Sequence, residues 1–346
     1  MYETSARRIR SVVNAGVIAG LFFQWQTGAV QAGDLQLSPF RTVNQRPLAA
    51  IFGFPQELPA RIVPAGKTAI AVSQDITSEH TENRNAREEI FLDGELYRWT
   101  ISARYGMGDR YEVGIAIPYL FYGGGFLDSF IIDWHRFFGF PQGGRDTAPR
   151  NRLLYRYSVD GVQRFTINSD TSGIGDVSLT GGIRLHESDG GDVSDAVAVR
   201  ASLKLPTGDS GSLRGSGSTD CTIAVSASRD VATALGNFGL FGSVGGLFAG
   251  RGRVLADQQN QLAAFGSVAV GWGVNDSLAF TFQLNAHTPM FHGSTLDEIS
   301  RGPLVLTTGG SIKLPGEYHL DLGVSEGLNG PPAPDVSFHL AVGKQF

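Results

Sequence analysis

The residues able to do chemistry in this sequence are charged and polar side chains that recur at every second position of short segments. Arg and Lys could bind anions or pair with carboxylates, and His could form a hydrogen bond with a nearby Asp. Arg184, Arg200 and Lys204 come from neighbouring segments and predict a basic patch. The full set on this polar parity consists of Arg98, Arg104, Glu112, Arg184, Arg200, Lys204, Gln283, Asn285, His287, His319, Asp321 and His339. The last three of these could form a cluster.

Enzyme motifs are poorly represented. The stretch Gly323–Gly327 matches Gly-x-Ser-x-Gly, but a nucleophile elbow requires a strand-to-helix turn, and this stretch ends an alternating segment before a Pro-rich loop. No His-Glu-x-x-His motif occurs, and no glycine-rich run leads into Gly-Lys-Ser or Gly-Lys-Thr. His287, with His292 nearby, is the best place for a lipid-modifying site. We therefore predict no catalytic residue, no metal and no cofactor.

The composition excludes several classes of protein. Gly accounts for 46 of the 346 residues and charged residues for only 18%, which is unfavourable for a helix-rich enzyme. The mean hydropathy of -0.04 excludes a bundle of transmembrane helices. The single cysteine, Cys221, excludes an internal disulfide. The net charge of -5 argues against nucleic acid as a partner.

The amino terminus has the features of an export signal. Three Arg residues precede the apolar run Val12–Phe23, which is too short to span a bilayer as a helix. Small residues follow at 29–32, so we predict a signal peptide over residues 1–32, with a short buried helix as the alternative. The protein is expected to reach the cell outer membrane.

Beyond residue 66 the sequence consists of segments of about ten residues in which apolar and polar side chains alternate. Ten residues at ~3.3 Å, tilted by about 45°, rise roughly 25 Å, which is the height of the apolar band of an outer-membrane barrel. A secreted β-sandwich would show the same alternation and remains the alternative. The segments lie near residues 67–77, 92–105, 110–122, 175–186, 196–205, 219–231, 238–249, 261–273, 278–288, 303–313, 318–326 and 335–346.

The connections and the aromatic residues favour the barrel. Connections alternate between short and long, with Ser78–Glu89 as the first long one, and this is typical of short periplasmic turns and long external loops. We therefore predict an all-β fold over residues 67–346: a transmembrane antiparallel β-barrel of about 12 strands with one short loop helix. An interfacial girdle is expected from aromatic residues at the short-turn ends, namely Tyr105, Tyr111, Phe238, Trp272, Tyr318 and Phe346.

Several runs of residues resemble known outer-membrane families. The terminal strand ending in Phe346 resembles the signal read by the barrel-assembly machinery, which is therefore an expected partner. Gly173–Leu179 and Leu205–Asp209 are similar to the outer-membrane family linked to the MetA pathway of phenol degradation. Neither this family nor the next supplies a catalytic residue. Runs that resemble the uncharacterised domain of unknown function 3187 family of Gram-negative bacteria, over nearly all of the mature chain, are Pro47–Pro55, Arg104–Arg110, Gly123–Arg145 and Gly215–Asp220.

The long external loop over residues 123–174 carries the most informative stretch. Residues 126–138 read as an amphipathic helix, and an extra hairpin is expected at Tyr155–Asp160 and Gln163–Asn168. A helix this apolar must bury its apolar side. It could do so as a lid packed on the strand ends, as a gate that lines an apolar pocket, or by binding the outer leaflet of the membrane. The gate interpretation assigns a role to Phe126, Phe130, Trp134, His135, Phe137 and Phe138.

Residues 33–66 are the second segment that could occlude the barrel, because Phe52–Pro55 is too apolar to lie free in the periplasm. This segment either folds into the lumen as a plug or pads the base of the barrel. The inward polar residues either hold the interior together by ion pairs or line a conduit. We predict a monomer, surrounded by outer-membrane lipids, that passes a small hydrophobic or aromatic solute. A structural or surface-binding barrel is the alternative, and a lipid-modifying enzyme is the third possibility.

Overall fold

The computed structural model describes residues 37–139 and 142–346, so the predicted signal peptide lies outside the described residues. No helix in these ranges is long and apolar enough to cross a membrane. The helices are α1 Pro47–Ala50, α2 Leu127–Phe138 and α3 Asp297–Ser300. The strands are β1 Thr68–Arg84, β2 Glu88–Met107, β3 Tyr111–Gly123, β4 Leu154–Val159, β5 Val162–Ile167, β6 Thr171–Ile174, β7 Ser178–Asp189, β8 Val193–Lys204, β9 Asp220–Thr233, β10 Gly236–Ala249, β11 Leu262–Asn275, β12 Leu278–His287, β13 Leu304–Leu314, β14 Tyr318–Gly327 and β15 Val336–Gln345.

Twelve strands, β1–β3 and β7–β15, close into one antiparallel barrel, which confirms the predicted fold class. The seam joins the first and last strands, from Ala69 opposite Gln345 to Ser78 opposite Val336. In the long loop, β4 and β5 form the expected hairpin, and β4 pairs with the first residues of β2. The short β6 pairs with the last residues of β3.

Alternation along the strands separates an outward apolar face from an inward polar face. On β3, Tyr111, Val113 and Ile115 are exposed, whereas Glu112 and Leu120 are buried. All six aromatic residues of the expected girdle are exposed on the outward face. They mark one end of the barrel, called the short-turn end, and the opposite end is called the long-loop end. An outward face of this kind suits a lipid environment.

The first external connection is much shorter than the sequence predicted. Ser78–Glu89 was expected to be a long loop, but β1 and β2 stay paired as far as Arg84 and Glu89, which leaves only a tight turn. The prediction was wrong because this stretch lacks outward apolar residues. Its outward side is covered by the long loop instead of lipid, and Arg145 donates a hydrogen bond to Ser78 at 2.9 Å.

Candidate functional site

Residues 37–66 lie inside the barrel, where they first run towards the long-loop end and then turn back. The backbone of Phe40 exchanges two hydrogen bonds with the side chain of Gln283 on β12, at 2.7 and 3.2 Å. Nearer the long-loop end, Arg46 forms an ion pair with Glu79 of β1 at 3.1 Å, and both side chains are almost completely buried. The chain then turns at α1, where a proline occupies the first turn of the helix and fixes its backbone angle.

After α1 the segment returns to the short-turn end. Gly53 donates its backbone N–H to Asp220 at 2.9 Å. Lower down, Val63 donates its backbone N–H to Glu112 at 2.9 Å. The segment 37–66 is called the plug below, because both of its arms are hydrogen-bonded to inward-facing residues of the barrel wall.

A buried carboxyl group lies in the returning arm of the plug. Glu57 accepts hydrogen bonds from Ser243 of β10 at 2.9 and 3.0 Å. Burial raises the pKa of this carboxyl, while hydrogen bonds from Ser267 and Ser243 and the charge of Arg200 oppose the rise. Docking of the plug therefore favours the protonated form of Glu57, compared with a plug released into solvent.

The basic side chains predicted to form a patch do not form one, because carboxylates neutralise each of them. Lys204 is neutralised by Asp220, which lies directly opposite it on β9, and by Asp176 in the loop before β7. The result is a set of ion pairs, as the structural interpretation of the polar face expected. The pairs are Lys204–Asp176 (2.6 Å), Lys204–Asp220 (3.1 Å), Arg200–Glu112 (2.6 Å), Arg104–Glu112 (3.1 Å) and Arg184–Glu187 (2.7 Å).

The cluster expected from the last two strands also does not form. His339 is hydrogen-bonded at 2.7 Å to Asp75 of β1, which lies directly opposite it across the seam. Asp321 instead accepts a hydrogen bond from Ser311 at 2.6 Å, and His319 lies one inward position closer to the short-turn end. The prediction missed the partner because it considered only the last two strands, whereas barrel closure brings the first strand to the last.

His287 lies inside the barrel against the plug. Its ring stacks on Phe54 with centroids 4.3 Å apart, and the amide of Asn44 lies 3.3 Å from its Nε2. His292 contacts Asn260 in the external loops. The group next to His287 is thus a buried amide of the plug, and this is not the surface-accessible arrangement that a lipid-modifying site requires.

Apolar residues fill the barrel at the long-loop end. Leu48, Ile51 and Phe52 of the plug pack with buried residues of the wall, the β4–β5 hairpin and the later loops. Phe52 meets Phe291 edge-on with ring centroids 5.5 Å apart. The hydroxyl group of Tyr122 donates a hydrogen bond, at 2.7 Å, to a backbone carbonyl oxygen of the loop between β8 and β9. This apolar roof covers the turn of the plug and blocks the mouth.

A cavity of about 100 Å³ lies between the returning arm of the plug and the wall. Phe54, Leu58 and Glu57 line its plug side, whereas hydroxyl groups, three basic side chains and Asp176 line its wall side. Two of the three basic side chains, Arg104 and Arg200, form ion pairs with Glu112. Among the described residues, Arg98 has no ion-pair partner, and its Nε has no hydrogen-bond partner. The cavity therefore has an apolar side and a polar side that carries both basic and acidic groups.

The residues of the predicted gate do not line this cavity. Helix α2 forms as expected, but it packs on the outside of the barrel through Leu127 and Ile131, which contact Val336. The gate interpretation was wrong because it assumed that the aromatic residues, the largest apolar groups of the helix, would be the buried ones. The five aromatic side chains are exposed and face away from the lumen, and His135 is half-buried. The predicted gate residues that do not reach the lumen are therefore Phe126, Phe130, Trp134, His135, Phe137 and Phe138.

Sequence analysis missed the groups that hold the plug. Arg46 and Glu57 are charged residues in a segment already suspected of entering the lumen, and a buried charge requires a partner. That reasoning could have identified both. Asp176 gave no such signal, because it lies in a loop, where carboxylates are usually solvated, whereas Asp220 lies opposite Lys204 on the neighbouring strand and could have been paired with it.

Solved outer-membrane barrels have similar structures. The COG4313 outer membrane channel from Pseudomonas putida F1 matches with a TM-score of 0.53 and 12% identity, over 83% of this chain and 98% of that chain. LpxR from Salmonella typhimurium gives a TM-score of 0.42 at 8% identity over 81% and 99%. A BenF-like porin from Pseudomonas fluorescens Pf-5 gives 0.34 at 9% over 82% and 99%. The first similarity supports the fold, and the class of protein is therefore an outer-membrane β-barrel.

Within this class the chain belongs to a family of proteins of unknown function. The family described as protein of unknown function (DUF3187) matches residues 22–346, which confirms the resemblance noted from the sequence. No curated protein matches the sequence.

Proposed function

We propose that this protein is a passive outer-membrane channel whose closed state is held by the plug. The carrying observation is the arrangement of the plug itself, whose two arms are tied to the wall by side chains while a cavity with polar walls remains beside one arm. Release of the plug would also withdraw Leu48, Ile51 and Phe52 from the apolar roof, and would extend the cavity into a passage along β2, β3 and β7–β9.

The lining of the cavity suggests the chemical class of the solute. Arg98 supplies a positive charge that no carboxylate of the described residues neutralises by direct contact. Phe54 and Leu58 supply an apolar surface opposite that charge. A small amphiphilic anion, such as an aromatic carboxylate, would satisfy both sides. This refines the solute class expected from the sequence, which was hydrophobic or aromatic.

The structural barrel without transport is the second candidate, and the filled interior favours it. Buried ion pairs and the apolar roof would stabilise a barrel that never opens. The lipid-modifying enzyme receives less support, because the candidate His287 is stacked under the plug with Asn44 as its neighbour.

Single-channel recording tests the proposal through the Arg46–Glu79 ion pair. Arg46→Glu places two carboxylates together in a buried site and should undock the plug, because burying unpaired like charges is strongly unfavourable. We expect the wild-type protein to be silent, Arg46→Glu to conduct, and the charge-swapped double variant Arg46→Glu/Glu79→Arg to be silent again.

Heat-modifiable gel mobility verifies in each case that the barrel is folded. If folded Arg46→Glu protein remains silent, the channel proposal is wrong and the structural barrel is favoured. Conductance that persists in the double variant would mean that the pair does not control the plug.

A further inference from the structure

Helix α2 is attached to the outer wall of the barrel at its seam. Leu127 and Ile131 pack with Val336 of β15, and Ile76 and Phe338 pack against the same group. These strand residues share the outward parity, because their neighbours Asp75 and His339 point inward. The helix therefore covers the first and last strands from outside and not from within the mouth.

Two sets of polar contacts fix the helix in this position. Glu95, on the outward parity of β2, accepts hydrogen bonds from the backbone N–H groups of Phe126 and Leu127 at 2.8 and 2.6 Å, so it caps the amino end of the helix. Gly125 precedes this cap with a φ of 70°, and a Cβ there would collide with the Glu95 carboxyl. Arg145 bonds to Asp128 and clamps the loop to the wall.

The side of the helix that faces away from the barrel carries two separate stripes. Ser129, Asp133 and Arg136 form a polar stripe, within which Arg136 pairs with Asp133 at 2.9 Å. The second stripe is aromatic and largely exposed, and its edges contact rings of β2 and β15. It comprises Phe126, Phe130, Trp134, Phe137 and Phe138, which are 63%, 49%, 46%, 83% and 47% exposed. At ~100° per residue the two stripes diverge, as in helices that lie in a membrane interface.

The aromatic stripe continues the lipid-facing surface of the barrel. Rings follow one another from Tyr119 to Trp99 (6.3 Å), from Trp99 to Tyr97 (6.1 Å) and from Tyr97 to Phe126 (6.4 Å). At the other edge Phe130 meets Phe338 of β15 with centroids 6.1 Å apart. The outward surface of the strands thus passes into the helix without a polar break.

These contacts lie in the upper part of the apolar band, next to the outer interface of the membrane. Phe338 lies eight positions from Phe346 of the short-turn girdle. At ~3.3 Å per residue and a tilt near 45° this is roughly 19 Å, close to the upper edge of an apolar band about 25 Å tall. Aromatic rings at this level are typical of the interfacial belt.

We propose that the aromatic stripe of α2 binds the acyl chains of the outer leaflet and anchors the long loop to the membrane. The occupant follows from continuity, because the stripe and the lipid-facing strands form one surface. An aromatic surface of this extent in water is unfavourable, whereas acyl chains cover it at no polar cost. The polar stripe then faces the headgroups. Anchored in this way, α2 lies against the side of the barrel, and closure of the lumen is left to the plug and the apolar roof.

Fluorescence of Trp134 tests this inference directly. The variant Trp25→Phe/Trp99→Phe/Trp272→Phe retains Trp134 as its single tryptophan. The protein is refolded into phosphatidylcholine bilayers whose acyl chains carry bromine at defined depths. We expect a shift of the Trp134 emission to shorter wavelength, loss of most of its intensity with bromine near the headgroup end of the chains, and little quenching by aqueous acrylamide.

The variant Trp25→Phe/Trp99→Phe/Trp134→Phe keeps Trp272 of the short-turn girdle as a positive control for quenching by lipid. Emission of a water-exposed indole with strong acrylamide quenching would overturn the proposal. Protection from both quenchers, together with a dimer in sedimentation experiments, would also overturn it and assign the stripe to a second copy of the chain. In addition, Phe137→Glu/Phe138→Glu should reduce the quenching of Trp134 by bromine, whereas Arg136→Gln on the polar stripe should not.

Discussion

Lys204 connects the wall of the barrel with the plug. Its Nζ lies 2.6 Å from Asp176 and 3.1 Å from Asp220, and it donates a hydrogen bond to the backbone oxygen of Ile51 at 3.0 Å. Lys204→Met leaves two carboxylates buried without their cation. We expect the free energy of unfolding to fall by about 3–5 kcal/mol, measured by urea titration with heat-modifiable mobility as the readout.

Lys313→Met is the matched control, because the Lys313–Glu317 pair at 3.2 Å lies at the surface and is screened by solvent. It should change the free energy of unfolding by less than about 1 kcal/mol. Equal effects of the two substitutions would show that burial of the Lys204 pairs contributes nothing.

Arg98 should set the ion preference of the opened channel. In the Arg46→Glu background, Arg98→Gln removes the charge that faces the cavity without a paired carboxylate. A charge-assisted contact contributes ~1.5–3 kcal/mol, so we expect the anion-to-cation permeability ratio to fall by about tenfold. The measurement is the reversal potential in a salt gradient. Arg184→Gln, whose side chain pairs with Glu187 away from the cavity, should have little effect, and a larger shift from Arg184 than from Arg98 would contradict the assignment.

Which face each residue would occupy was predictable at the residue scale, but its partners were not. The period of two placed Arg98, Lys204 and His339 inward, because one strand suffices to define parity. Partners depend on which strands meet and on what enters the lumen. Asp75 reaches His339 only through barrel closure, and Asp176 reaches Lys204 from the loop before β7. Neither contact leaves a trace in local sequence.

At the scale of elements, docking of the plug should respond to pH through Glu57. Burial raises the pKa of this carboxyl above its ordinary value near 4.5. The stabilisation by the protonated form is therefore complete below the ordinary pKa and is lost as pH rises through the higher value of the docked state. We expect openings to become more frequent as pH is increased from about 4 towards neutrality, measured by single-channel recording. Glu57→Gln should remain neutral and remove this dependence, and its persistence in that variant would exclude Glu57 as the cause.

Element boundaries were predictable where lipid contact imposed alternation and failed elsewhere. The hairpin of β4 and β5 and the helix α2 were identified because turn residues and a 3.6-residue period mark them locally. The extended β1–β2 hairpin was not, since its outward residues contact the long loop. The position of α2 was also not predictable, because an amphipathic pattern defines the apolar side of a helix and not the surface that it meets.

At the scale of the whole molecule, the strand number followed from the length of the membrane-crossing segments and from the even parity of the connections. These constraints are global, because both ends of the chain must return to one side of the membrane. The path of the plug has no comparable constraint. Its contacts alternate between distant strands, from Gln283 to Glu79 and then to Asp220, so only the folded barrel defines them.

Phe346 should matter for assembly of the barrel more than for its final stability. Its backbone closes the seam through hydrogen bonds with Thr68 at 2.8 and 3.1 Å, which do not depend on the side chain. The ring is 55% exposed and contacts the ammonium of Lys344 at 5.0 Å. We therefore expect Phe346→Ala to change the free energy of unfolding of the refolded protein by less than about 1 kcal/mol, while strongly lowering the amount of folded barrel in the outer membrane of cells. The measurement compares urea titration of refolded protein with heat-modifiable mobility of membrane fractions.

Tyr318→Ala, at the same interface on β14, is the control and should leave cellular assembly nearly intact. Equal losses for both variants would show that the general aromatic girdle, and not Phe346 in particular, determines assembly.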